Sequence, residues 1–197
     1  MTVEVSRLTG ADLRAALDDL ARLRIEVFRD WPYLYDGSYD YERAYFSNFA
    51  ASDGAIVVVA RDGSDIVGAA TAVPMGGHAE EFAEPFERHG YDITRIFYLG
   101  ESVLLPRYRG RGLGHAFFEH REAHGCALGG FDYATFCSVV RPADHPLKPA
   151  DYRPLDSFWR KRGYEPVPGL VGSFPWRDVG DAAETEKPMQ FWMKLLA

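Results

Sequence analysis

Residues 96–118 read Ile-Phe-Tyr-Leu-Gly-Glu-Ser-Val-Leu-Leu-Pro-Arg-Tyr-Arg-Gly-Arg-Gly-Leu-Gly-His-Ala-Phe-Phe, and no other stretch narrows the fold as much. Residues 96–105 are rich in β-branched and aromatic side chains and predict a buried strand. Residues 106–112 crowd Arg and Gly into a turn. From Leu113 onward, Leu113, Ala116, Phe117 and His120 fall on one face at helical spacing. A glycine-rich turn between strand and helix is a place to hold phosphate. The first N–H groups of a helix lack internal partners, the dipole makes that end positive, and glycine lets a ligand approach the backbone.

Sequence templates separate the phosphate ligands. A P-loop needs Lys-Ser/Thr after its last glycine, but Gly114 is followed by His115 and Ala116. A dinucleotide fingerprint needs G-x-G-x-x-G, and its third glycine position is His115. The pattern that fits is Q/R-x-x-G-x-G/A, here Arg109-Gly110-Arg111-Gly112-Leu113-Gly114. It resembles the acyl-CoA-binding motif of the GCN5-related N-acetyltransferase (GNAT) superfamily. Leu104-Leu105-Pro106-Arg107-Tyr108-Arg109 is similar to that family's strand end and turn. Phe158-Trp159-Arg160-Lys161-Arg162-Gly163-Tyr164 resembles its late helix, F-Y-x-x-x-G-F.

At 197 residues the chain reads as one domain, 1–197, with a sizeable core. A net charge of −7 argues against a general nucleic-acid binder, which needs a basic surface. Yet Arg107, Arg109 and Arg111 cluster in this acidic chain, as a local phosphate site requires. Cys126 and Cys137 give no disulfide framework and read as reduced thiols of a cytoplasmic protein. Apolar runs such as residues 55–60 are too short to span a bilayer, so no membrane association is expected.

Residues 2–8 alternate as a strand, and residues 13–28 carry helical periodicity closed by Pro32. A second helix is expected over 41–49, strands over 55–61 and 66–75, and a short helix over 78–89. Beyond the central strand and the motif helix, which runs to about 128, come a strand at 133–140, a helix at 155–162 and strands at 170–176 and 189–196. This order predicts an α/β (α+β) fold: one mixed, mostly antiparallel sheet of about seven strands flanked by helices, which is also the fold the resemblance implies.

The resemblance implies transfer of an acetyl group from acetyl-CoA to a primary amine, by direct attack in a ternary complex. It assigns pyrophosphate to Gly110, Arg111, Gly112, Leu113, Gly114 and His115, with Arg109 adding charge. It assigns the pantetheine arm to the backbone of Ser102, Val103 and Leu104, as an added strand. Glu101 is the candidate general base. A carboxylate inside an apolar strand is costly unless paired or functional, and partial burial favours its uptake of a proton. The competing use is a pair with an Arg or a place at a bulge. The family's general acid is often a Tyr where this chain has Trp159, and indole has no proton to give a thiolate. Cys137 has nothing around it in sequence to make it a nucleophile. His120 and His124 lack H-E-x-x-H spacing, so no metal is expected.

Residues 31–41 hold one Trp and four Tyr, with Asp36 and Asp40 among them. Aromatics with carboxylates suit a cationic amine, which makes Trp31, Tyr33, Tyr35 and Asp36 candidates for holding a small-molecule acceptor. The same loop could instead pack onto the domain or form a homodimer contact. A protein or peptide acetyltransferase and a non-catalytic acyl-CoA-binding domain are the alternative functions.

Overall fold

Val57, Val58, Val59 and Ala60 are buried without a break, as are residues 66–73, so neither run shows the in-out alternation of a half-exposed strand. They form the middle of the fold in a computed structural model that describes residues 3–76 and 83–196. Along the chain, β1 (Glu4–Leu8) leads into α1 (Gly10–Ala15), α2 (Leu17–Phe28) and α3 (Tyr39–Ala50). A hairpin of β2 (Ile56–Asp62) and β3 (Asp65–Pro74) follows, then α4 (Ala83–Arg88) and β4 (Ile96–Leu104). The chain continues through α5 (Leu113–Leu128), β5 (Tyr133–Val139), α6 (Asp156–Lys161), β6 (Glu165–Trp176) and β7 (Thr185–Leu195).

The strands form one seven-stranded sheet in the order β1-β2-β3-β4-β5-β7-β6. Every pairing is antiparallel except β4 with β5. The expected mixed, mostly antiparallel sheet flanked by helices is what the structure contains. Helix α5 packs behind β1 to β4, and α2 packs on β3 and β4. No helix among the described residues is long and apolar enough to cross a membrane.

Two local expectations differ. The single helix over 13–28 is broken at Ala16, whose N–H bonds the carbonyls of both Asp12 and Leu13 and closes α1 before α2 begins. Strand β6 starts at Glu165, ahead of expectation, because Pro166 and Pro168 sit in an edge strand, where a missing N–H costs no ladder bond. Of the helix expected over 78–89, residues 83–88 are α4, and residues 78–82 lie outside the described residues.

The buried face of α5 also turns from the expected one. Leu113 and Phe117 are in the core, but the stripe continues through Phe118, Arg121 and Gly125, while Ala116 and His120 stay half-buried. Gly125 lets the helix touch the sheet: a Cβ there would stand 2.7 Å from the Phe97 ring. Arg121 is only 1% exposed, and burial pulls its basicity down to about 10, so it stays charged at neutral pH.

A β-bulge explains why a charge is tolerated there. Ala70 pairs with Ser102 and Ala72 with Leu99, so Thr71 alone faces both Gly100 and Glu101. The extra residue disrupts the ladder, and the Arg121 guanidinium binds at that point. Its Nη1 donates to the carbonyls of Thr71 and Glu101, each at 3.1 Å; Nη2 donates to Ser102 Oγ and Nε to the Phe117 carbonyl. The bulge also reverses the alternation of β4. Phe97 faces α5, but so does Ser102, which leaves Glu101 on the opposite face with α2 and α3. Replacing Arg121 with Met keeps the stem and orphans these carbonyls. The expected loss is about 3 kcal/mol, read as a lower denaturation midpoint at unchanged slope. An unchanged midpoint would show that the bulge holds itself.

Candidate active site

Strands β4 and β5 pair only at Ile96↔Tyr133, Phe97↔Ala134 and Tyr98↔Thr135. Both strands then continue, β4 to Leu104 and β5 to Val139, without further pairing. The sheet therefore opens into a wedge with its apex at Tyr98. Beyond the apex, the edge of β4 that faces β5 has no strand on it, and Ser102, Val103 and Leu104 lie along this edge. Such an edge can accept another extended chain.

The turn after β4 closes the wide end. Pro106–Tyr108 forms one 3-10 turn, and the Tyr108 hydroxyl donates to Asp62 at 2.7 Å. Arg107 and Arg111 both lie over the Tyr108 ring, at 5.0 and 5.2 Å. Gly110 and Gly112 have φ of +75° and +81°, the left-handed region that side chains disfavour, and a Cβ on either would meet nothing within 4 Å. Gly112 caps α5, so the N–H groups of Gly112, Leu113 and Gly114 have no acceptor within the helix. Gly114 faces the Phe158 ring, where a Cβ would stand 3.4 Å away, an ordinary contact. Arg109 turns back and donates to the Leu104 carbonyl at 3.2 Å, tying turn to strand end. His115 packs on Phe158 and shares a 3.2 Å hydrogen bond between Nδ1 and Arg162, which in turn binds Glu122.

Glu101 sits on the bulge, 7% exposed. Tyr45 of α3 donates to its Oε2 at 2.9 Å. Its Oε1 has no hydrogen-bond partner and lies 3.9 Å from Arg24 Nε, which has none either. Arg24 binds the buried Glu42 through Nη1 and stacks over the Tyr45 ring at 4.3 Å. Burial opposes the Arg24 charge, but Glu101, Tyr45 and Glu42 more than offset it and raise its basicity. Tyr45 is held well above the ordinary phenol range, first by burial and then by Glu101, so it stays a donor. One guanidinium thus faces two carboxylates.

Tyr33, Tyr45, Tyr98 and Cys137 are all desolvated by the surrounding protein, yet each keeps part of its surface open. Tyr33 and Tyr45 act directly on Glu101, and the four make a wall of phenols and a thiol beside it. At the apex, Tyr98 Oη lies 3.4 Å from Cys137 Sγ, and burial pushes the thiol up to about 12.

Of the four acceptor candidates, Tyr33 is the one coupled electrostatically to Glu101, and it also feels Cys137 and Arg24. Trp31 packs against His145 and Tyr152 of the loop after β5, at 5.0 and 5.9 Å, joining two loops at the wide end of the wedge. Tyr35 faces Glu42 and Arg24. The carboxylate of Asp36 is engaged by Arg177 at 2.7 Å and Arg29 at 3.5 Å, an anchoring use that holds the loop to the β6–β7 connection. Arg141 clamps the same loop, donating to the carbonyls of Pro32 and Tyr33 while binding the buried Asp178.

Trp159 packs between Phe136 and Trp192, each at 5.0 Å. His124 Nε2 donates to the Gly54 carbonyl at 3.0 Å, a packing use. Among the described residues, no group of three or more His, Cys, Asp or Glu could hold a metal. Sequence reasoning missed Arg24, Glu42 and Tyr45. A signal existed: Arg24 stands four residues from both Leu20 and Phe28, and Glu42 four from Phe46, inside apolar stripes. In the folded protein at pH 8, iodoacetamide should label the exposed Cys126 and spare Cys137, whose thiolate is scarce there. Peptide mapping that finds Cys137 alkylated at a comparable rate would contradict this wall.

The sequence model of the acetyltransferase (GNAT) family matches residues 18–146. A search of curated proteins gives no match. Among solved structures, an aminoglycoside 6'-N-acetyltransferase complexed with coenzyme A is 18% identical, with TM-score 0.62 over 98% of this chain and 97% of that one. A ribosomal-protein-alanine N-acetyltransferase from Brucella melitensis is 14% identical, with TM-score 0.62 over 98% and 99%. The loading GNATL domain of CurA from Lyngbya majuscula is 13% identical, with TM-score 0.64 over 100% and 98%. At these identities the likeness is one of fold.

Proposed function

Because the chain belongs to the acetyltransferase (GNAT) family, we propose that it moves an acetyl group from acetyl-CoA to the primary amine of a small molecule, by direct attack in a ternary complex. The observation that carries this reading is the wedge between β4 and β5, with anion-binding backbone at its wide end and Glu101 beside its free edge. Pyrophosphate of CoA sits on the N–H groups of residues 110–114, with Arg109 and Arg111 supplying charge, while the His115 N–H is engaged by the Gly112 carbonyl. The pantetheine arm runs along the backbone of Ser102, Val103 and Leu104 toward the apex. An acyl group carried that way arrives next to the bulge.

The acceptor comes from the face that holds Glu101. Its ammonium answers the negative charge of Glu42 and Glu101 and packs against the Tyr33 and Tyr45 rings. Glu101 takes the proton, directly or through water, and the freed nitrogen attacks the thioester carbon. As the C–N bond forms the C–S bond breaks, and the leaving thiolate takes up the second proton that the nitrogen sheds on becoming an amide. Trp159 has no part in that last transfer. The contact of Trp31 with His145 and Tyr152 narrows the mouth and favours a small acceptor over an extended peptide.

Thiol release from acetyl-CoA, measured against amines, amino acids and peptides, tests this directly. Turnover is expected on small cationic amines, with Glu101→Gln slower by about 100-fold. Turnover on peptides alone would overturn the substrate class. Gly112→Asp should abolish CoA binding in calorimetry, because a carboxylate would enter the phosphate site. A folded variant that binds CoA normally would remove the turn from the cofactor site.

A further inference from the structure

Two buried atoms next to the wedge are left without hydrogen-bond partners, and they face each other. Arg24 Nε and Glu101 Oε1 stand 3.9 Å apart, close enough for strong attraction and too far for a hydrogen bond. The guanidinium is held in place by other contacts. Its Nη1 is engaged by Glu42, and its plane lies over the rings of Tyr45 and Phe28, at 4.3 and 5.1 Å. The other oxygen of Glu101 is occupied by Tyr45. What is left is a carboxylate with one oxygen open, beside a fixed positive charge.

We propose that Arg24 is a positioning residue for Glu101: its guanidinium, fixed by Glu42 and Tyr45, keeps the carboxylate ionised and in place without closing a bond on Oε1. The proposal rests on the reading of Glu101 as the base. Direct contact would bury the lone pair that has to take the proton, and no contact would leave an isolated anion in the core. The observed spacing avoids both. Glu42 makes the arrangement adjustable, because it draws on the same guanidinium and repels Glu101.

The other groups that bear on Glu101 are fixed in charge. Tyr45 from α3, Tyr33 from the aromatic loop and Tyr98, which is coupled to both, are kept protonated by burial. Tyr35 from the same loop faces Glu42 and Arg24 and is likewise kept protonated. Arg121 from α5 is charged at neutral pH and binds the Glu101 carbonyl from the opposite face. Glu42 and Glu101 are therefore the carboxylates whose balance Arg24 sets.

The test is the pH profile of kcat/KM for Arg24→Gln, Arg24→Lys and Glu42→Gln beside the parent, from about pH 5.5 to 9. Glu101 acts as base only when ionised, so activity is lost as pH falls. Arg24→Gln should move the acid limb to higher pH by about one unit. Arg24→Lys should restore the limb. Glu42→Gln should move it the other way, to lower pH, because Arg24 then acts on Glu101 alone. Position of the limb is a ratio within each variant, so a reduced folded fraction does not alter it, and Glu42→Gln carries the test even where Arg24→Gln fails to fold. A uniform loss at every pH, or limbs shifted in the same direction by Arg24→Gln and Glu42→Gln, would make Arg24 a packing residue and overturn the proposal. Glu101→Gln separates the two levels. If it keeps both rate and limb, the base assignment itself is wrong; if it loses the rate while the limbs of the Arg24 and Glu42 variants do not move, only the role of Arg24 falls.

Discussion

A guanidinium buried against the backbone decides which way β4 faces. Arg121 makes its hydrogen bonds to three carbonyls and a serine hydroxyl, all neutral groups. That is an unusual way to keep a charge in a core, and it works because the bulge at Gly100 and Glu101 leaves backbone oxygens in want of donors. Bulge and arginine stabilise each other. Without the reversal they enforce, Glu101 would share a face with Phe97, against α5, and the carboxylate would meet apolar side chains in place of Arg24 and Tyr45.

Two departures from sheet regularity therefore cooperate. The bulge turns one carboxylate to the α2 and α3 side, and the parting of β5 exposes the strand edge beside it. One ligand could thus lie along the strand edge while another approaches from the opposite side. The electrostatics follow the same division. Free helix N–H groups and arginines collect at the wide end, whereas the face of Glu101 sets two carboxylates against one guanidinium.

How much of this was legible in the sequence depended on the range of the interactions. The turn at residues 109–114 declared itself, because the need for glycine there is local: positive φ at Gly110 and Gly112. The order of strands and helices along the chain followed from periodicity. The charged cluster did not, because Arg24, Glu42 and Glu101 come from three elements and acquire meaning only when packed together. Arg121 was hidden for a related reason. A charged residue on an amphipathic helix reads as solvent-facing, and only the bulge in a distant strand supplies its partners. Asp36 shows the converse: a carboxylate in a promising loop proves to be engaged by Arg177 and Arg29.

The three residue pairs that join β4 to β5 also divide the molecule mechanically. On one side stands β1 to β4 with α5 behind it; on the other, β5, β7 and β6, held by long antiparallel ladders of their own. Such a sheet has two cooperative blocks and one short seam. Amide protons within each block should be shielded to nearly the full unfolding free energy, while those along the seam report a lower, separate opening. Along the strands the two halves meet only at that seam, and side chains bridge them off the sheet, Arg162 to Glu122 and Arg177 to Asp36.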